Sequence, residues 1–193
     1  MEFLNIFSAF GLSASAGLNA YIPLLIVALL AKFTNLIHLN HPWDALTSWW
    51  VIGLLVLLCM LEFFTDKIPA VNHINDAIQT FIRPAAGAIL FAASAKVVTD
   101  VHPILSLALG LLVSGSVHTV KSVAVRPAVT ATTAGVGNIP ISILEDLIAT
   151  VVSFLSVVIP VLIAGFLILI SAWIIWRLVR RKAKYSRARS PFP

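Results

Sequence analysis

Apolar residues along this chain gather in long runs separated by short polar segments, and they lack the alternation expected of half-buried strands. A helix crossing about 30 Å of hydrocarbon needs about 20 residues. Five runs approach that length: Leu4 to Ala31, Thr47 to Thr65, Pro84 to Val98, Pro103 to Val120 and Asp146 to Trp176. The pattern predicts an all-α membrane protein of about five transmembrane helices. The third run is short and carries Ala85, Ala86, Gly87, Ala88, Ala92, Ala93, Ser94 and Ala95. Small residues let helix backbones approach closely, so this run is expected inside the bundle. The fifth run is long, and Pro160 within it predicts a tilted or kinked helix.

Two stretches resist reading as plain helix. Gly11 to Pro23 and Thr130 to Pro140 both contain Ala-Gly followed by Asn and Ile-Pro, a weak internal repeat. Gly and Pro interruptions in apolar segments point to discontinuous or re-entrant helices whose exposed backbone binds substrate or ions. Such backbone is tolerated only within protein or beside water. Gly17, Asn19, Gly135, Gly137 and Asn138 are the candidates this reading supplies. The alternative is that these stretches are tight helix crossings or a loop outside the membrane.

Composition agrees with the pattern. Of 193 residues, 60% are hydrophobic and 11% charged, with a mean hydropathy of +1.01, which excludes an ordinary soluble domain. The first residues carry no basic charge and no evident cleavage site, so the first segment is expected to be retained. The single cysteine, Cys59, excludes an intrachain disulfide and any thiolate zinc cluster.

Net charge is +5, but seven of the thirteen Lys and Arg residues follow residue 176, leaving six basic and eight acidic side chains before it. The chain therefore divides into a membrane domain, residues 1–176, and a basic tail, residues 177–193. A basic segment after an apolar run is expected on the cytoplasmic side of a bacterial inner membrane, where it also meets anionic headgroups. Beside a membrane exit it does not imply nucleic acid. Five crossings with a cytoplasmic tail put the N-terminus outside, the 32–46 loop inside, and the 66–83 and 121–145 segments outside. Trp43, Trp49, Trp50, Trp173 and Trp176 then share the cytoplasmic interface.

Charge inside apolar regions is costly and is the strongest pointer to function. Arg83-Pro84-Ala85-x-x-Ala88 and Arg126-Pro127-Ala128-x-x-Ala131 repeat one box. Proline favours the first helical position, where free N–H groups attract anions, and the preceding arginine adds a rigid donor fork. The box thus predicts two anion-receptive helix starts. Glu62 and Asp66, four apart, share a helical face, with Lys67 adjacent. Asp76, His118, Lys121, Glu145 and Asp146, together with His73, belong to the same predicted side. Acids such as Glu145 and Asp146 also suit a helix N-terminus. Glu62, Asp66 or Asp146 would be the resting partner of the arginines. Ion pairs that merely anchor helix ends are the alternative reading. His118 with the carboxylates would otherwise form an oxygen-rich divalent-cation site, although no spacing motif supports a metal. No cofactor is implied.

In its longer motifs the chain resembles DUF4126, a bacterial family of small membrane proteins catalogued as a domain of unknown function. The resemblance rests on Gly17-Leu-Asn19-Ala-Tyr21-Ile-Pro23, on Glu62-Phe-Phe-Thr-Asp66-Lys67-Ile-Pro69 with Asp76 and Ile82-Arg83-Pro84-Ala-Ala-Gly87, and on His118-Thr-Val-Lys121 with Arg126-Pro127 and Glu145-Asp146. It implies no activity.

From the residues, three functions compete. The first is a transporter or lipid translocase for a phosphate- or carboxylate-bearing small molecule or lipid headgroup. In it Arg83, Arg126 and Lys121 hold the anion, and Glu62 or Asp66 carries a coupling proton. The second is a non-catalytic scaffold that packs through small-residue faces. The third is an intramembrane phosphoesterase, since Lys121-x-x-x-x-Arg126-Pro127 looks like a contracted lipid-phosphatase motif, but the nucleophilic histidine context of that family is absent. A chain this small also raises the expectation of a homo-oligomer.

Overall fold

The computed structural model describes residues 2–66, 69–95 and 102–187. Among these residues the protein is helical throughout: α1 (Glu2–Leu18), α2 (Tyr21–Phe33), a 3₁₀ turn (Trp43–Thr47), α3 (Trp49–Thr65), α4 (Pro69–Ala95), α5 (Pro103–Val120), a π-helical segment (Lys121–Val125), α6 (Arg126–Thr133) and α7 (Asn138–Arg187). Among the described residues three stretches are long and apolar enough to cross a membrane, Ala77–Ser94, Pro103–Thr133 and Asn138–Ile159; Ile6–Leu18, Tyr21–Phe33 and Trp49–Thr65 are shorter apolar helices.

The surface confirms where the apolar residues belong. On α3, Trp50 is 91% exposed and Phe64 is 63% exposed, while Glu62 on the same helix is 2% exposed. Arg83 heads the fully buried side chains by size. Water would reverse this ordering, and hydrocarbon favours it.

The first apolar run is two helices rather than one. α1 passes straight through Gly11 and Gly17, and the break falls at Asn19 and Ala20. The Asn19 side chain explains the break, because its Oδ1 accepts from the Tyr21 and Ile22 amides at 3.1 and 3.0 Å, satisfying the first donors of α2. α2 then runs antiparallel to α3. At one end Lys32 donates to the Thr47 carbonyl at 2.7 Å and Phe33 meets Trp49; at the other Asn19 and Ile22 face Cys59 and Phe63. Leu24, Val27 and Ala28 of α2 share one core with Leu12 and Ala16 of α1, Leu55 of α3, Leu90 of α4 and Val157 of α7.

Close approaches set the remaining directions. Gly87 of α4 and Gly110 of α5 lie where a Cβ at either would strike the opposing helix, so these two glycines fix the α4–α5 crossing. Ser13 of α1 donates to the Gly110 carbonyl at 2.8 Å, and Ser15 bonds Ser153 of α7 at 2.8 Å. α1, α3 and α5 therefore lead toward one end of the bundle, and α2, α4 and α7 lead away from it. As the small residues of the third run predict, the Ala86–Ala93 face of α4 is buried inside the bundle.

Several expectations are corrected. Arg83-Pro84 does not start a helix, because α4 begins at Pro69 and carries Pro84 in its interior. Arg126-Pro127 does follow a boundary, but the Arg126 amide is already bonded to the Lys121 carbonyl within a helical run from Pro103 to Thr133. Neither box offers free helix-start amides. The last helix begins at Asn138 rather than Asp146 and passes through Pro160 without ending, so Glu145 and Asp146 lie two turns inside it and a helix-start role does not account for them.

Candidate functional site

The converging ends of α1, α3 and α5 bring together charged side chains that lie far apart in sequence. Arg83 Nη2 donates to Glu62 Oε1 at 2.8 Å and lies 3.9 Å from Asp66 Oδ2. Arg126 Nη2 reaches the same Asp66 oxygen at 3.1 Å and Glu145 Oε2 at 3.3 Å. Lys121 Nζ lies 2.8 Å from that Glu145 oxygen and donates to the Leu18 carbonyl at 2.8 Å. The order along the ladder is Glu62, Arg83, Asp66, Arg126, Glu145, Lys121, with signs alternating at every step. Each of these six residues is at most 7% exposed, so each charge depends on its neighbour instead of on water.

Local sequence explains the convergence. On α5, Ser106, Gly110, Ser114 and His118 are all buried at a spacing of four, which keeps them on one helical face. Lys121 continues that face, and Arg126 lies five residues further. In an α-helix a step of five turns a side chain about 140° off the face. The intervening π turn accommodates the extra residue, so Arg126 stays aligned with Lys121. Pro127 supplies a cause, since its ring and missing N–H disrupt α-helical bonding in the preceding turn.

Secondary contacts hold the ladder in place. Asn75 Nδ2 donates to Asp66 Oδ1 at 2.7 Å, and Ser142 Oγ approaches Asp66 Oδ2 at 3.4 Å. Ser114 Oγ donates to the Arg83 carbonyl at 2.7 Å. His118 Nδ1 lies 3.2 Å from Arg83 Nη1 and its Nε2 lies 3.1 Å from Thr80 Oγ1. A guanidinium can only donate, so Nδ1 accepts and a neutral ring carries its proton on Nε2. Asn19 Nδ2 donates to Asp146 Oδ1 at 2.9 Å, tying the α1–α2 break to α7.

One ion pair is half made. Glu62 Oε2 and Arg83 Nε are buried and make no hydrogen bond among the described residues, although a bidentate pair would satisfy both. Gln79 Oε1, on the same helix as Arg83, is likewise buried without a partner.

The candidates named from sequence separate into two groups. Glu62, Asp66, Arg83, His118, Lys121, Arg126 and Glu145 are brought together, with Asp146 and Asn19 joined to each other beside them. Gly17 packs against the Ser114 carbonyl and Val117, a helix crossing. Gly135, at φ +89°, and Gly137 form the turn between α6 and α7, and Asn138 Nδ2 donates to Thr130 Oγ1 at 2.9 Å within that turn. Lys67 lies outside the described residues, as do the side chains of His73 and Asp76. Among the described residues no three of His, Cys, Asp and Glu converge as a metal group; guanidinium groups stand between the carboxylates. Sequence reasoning missed Asn75, Gln79 and Thr80. The spacing carries a signal, because Asn75, Gln79 and Arg83 are four apart, but the 66–83 segment is expected outside the membrane on its polarity.

Fold and site together define an all-helical membrane protein with a buried network of alternating charge. The model of a family described as a domain of unknown function, DUF4126, matches residues 6–181, and the chain belongs to that family. Comparison with curated proteins and with solved structures finds no match.

Proposed function

We propose that this protein moves an anionic substrate, bearing phosphate or carboxylate, across the membrane together with a proton. The observation that carries the reading is the half-made Glu62–Arg83 pair. A buried charge network that served only to hold helices together would gain most by closing this pair, since a lone carboxylate oxygen out of water is expensive. The open Glu62 Oε2 is a place for a proton. Protonation removes the charge that Arg83 neutralises and releases the guanidinium to an incoming anion, while Asp66 keeps Arg126 in place. One proton and one monovalent anion arriving together leave the total charge of the network unchanged, which keeps the desolvation cost of the loaded and empty states similar. The helix break at Asn19 and the π turn beside Lys121 are non-uniform helical features of the sort associated with transport sites.

In orientation, the Asn19 reversal returns Glu2 to the end that also carries the 34–48 segment and the start of the basic tail up to Arg187. We place that end in the cytoplasm of a bacterial inner membrane by the positive-inside rule.

The reading is tested by thermal unfolding of the purified protein in detergent against inorganic phosphate, short carboxylates and phosphate-bearing lipids at pH 6 and pH 8. A stabilising ligand is expected to act more strongly at pH 6, to lose its effect in Arg83→Gln, and to act equally at both pH values in Glu62→Gln. The same ligand should acidify the lumen when supplied outside proteoliposomes. Folded protein that responds to no anion, or a response that Arg83→Gln leaves intact, would overturn the proposal.

A further inference from the structure

A groove of about 450 Å³ opens on the flank of the bundle between α5 with its π turn and α7. Its wall is apolar, formed by Val117, Val120, Val125, Leu144 and Ile148, with Leu18 of α1 behind. Val120 is 61% exposed and Leu144 52%, so the mouth faces the surroundings of the bundle, which in a membrane is hydrocarbon. The groove also contains one cation and one carboxylate, Lys121 and Glu145. Lys121 is 3% exposed and carries three N–H donors. Among the described residues two are used, on the Leu18 carbonyl and on Glu145 Oε2, an oxygen it shares with Arg126. A buried ammonium with a donor to spare, at the inner edge of a hydrocarbon-facing groove, matches an amphiphile with an apolar chain and an anionic head.

We infer that this groove seats one chain of a phosphate-bearing membrane lipid whose headgroup engages Lys121. The inference rests on the anion-translocation reading and names its substrate class: the headgroup enters the charge ladder at the Lys121–Glu145 rung while the tail stays in the membrane. A small soluble anion would have no use for the apolar wall. A zwitterionic lipid would bring its own cation toward Lys121 and Arg126 and is disfavoured.

The test measures unfolding of the full-length protein in detergent with added phosphatidylglycerol, phosphatidylcholine or glycerol 3-phosphate. Phosphatidylglycerol near 100-fold excess over its Kd is expected to raise the midpoint by roughly 5 °C or more. Phosphatidylcholine should raise it far less, and glycerol 3-phosphate, lacking chains, should not match it. Ile148→Trp, a change at a 41% exposed position, fills the groove and should abolish the lipid shift without loss of folding. Lys121→Gln should erase the preference for the anionic lipid. A shift that survives Ile148→Trp, or equal shifts from both lipids, overturns the inference. A shift lost in Ile148→Trp but unchanged in Arg83→Gln would keep the groove and sink the translocation reading. A soluble anion whose effect needs Arg83, with no groove-dependent lipid shift, would do the opposite.

Discussion

At the scale of the residue, the ladder is defined by what happens when one rung is removed. Arg83 is fully buried and faces two carboxylates, so Arg83→Met strands Glu62 in a medium that cannot solvate it. Removing one partner of a buried pair costs about 3–5 kcal/mol, whereas replacing both partners by apolar groups of similar size is often close to neutral. Arg83→Met alone should therefore lower the unfolding midpoint sharply, and Arg83→Met with Glu62→Met should recover much of the loss. Unfolding measured on the two single variants and the double variant gives the coupling directly. Additive losses would show that the two side chains do not depend on each other.

At the scale of the element, the sequence was informative about which segments are helices and less so about where they begin. Long apolar runs identified α3, α5 and the second half of α4, because a run that avoids charge for 12 residues or more has few alternatives in a chain this apolar. The polar first half of α4 and the residues 121–133 escaped, since Gln79 and Lys121 are apolar-run breakers when read singly and become buried only once their neighbours are in place. Most of the charged candidates could be named because charge in such a chain is rare. Glu62 and Asp66 could be named as partners of the arginines, but the Glu145 rungs with Arg126 and Lys121 could not, because they depend on a one-residue phase shift at the π turn and on the early start of α7. Deleting Val123, a 70% exposed residue of the π turn, should restore α-helical phase and rotate Arg126 about 100° away from Asp66 and Glu145. A helical protein by circular dichroism, with a markedly lower midpoint and no anion response, is expected. Unchanged stability would mean that the π turn has no part in aligning the ladder.

At the scale of the whole molecule, the direction of the helices puts Glu2 and Arg187 toward the same end of the bundle, where a five-crossing count puts the two termini on opposite sides. In a Cys59→Ala background, single cysteines replacing Glu2 and Arg177 should react alike with an impermeant thiol reagent: both protected in intact cells and both labelled in inverted vesicles. Labelling of one from each side would refute the reversal at Asn19. The ladder also has an order in time. Glu62 and Asp66 are synthesised before Arg83 and Arg126, so a lengthening chain always has an acid waiting for each arginine. Lys121 is different, because its acid, Glu145, is made 24 residues later. While the ribosome covers that distance, an ammonium that costs about 3 kcal/mol at the centre of a membrane helix has no carboxylate of its own. Until α7 arrives, the Lys121 rung of the ladder lacks its carboxylate, and the network closes only when the last helix packs.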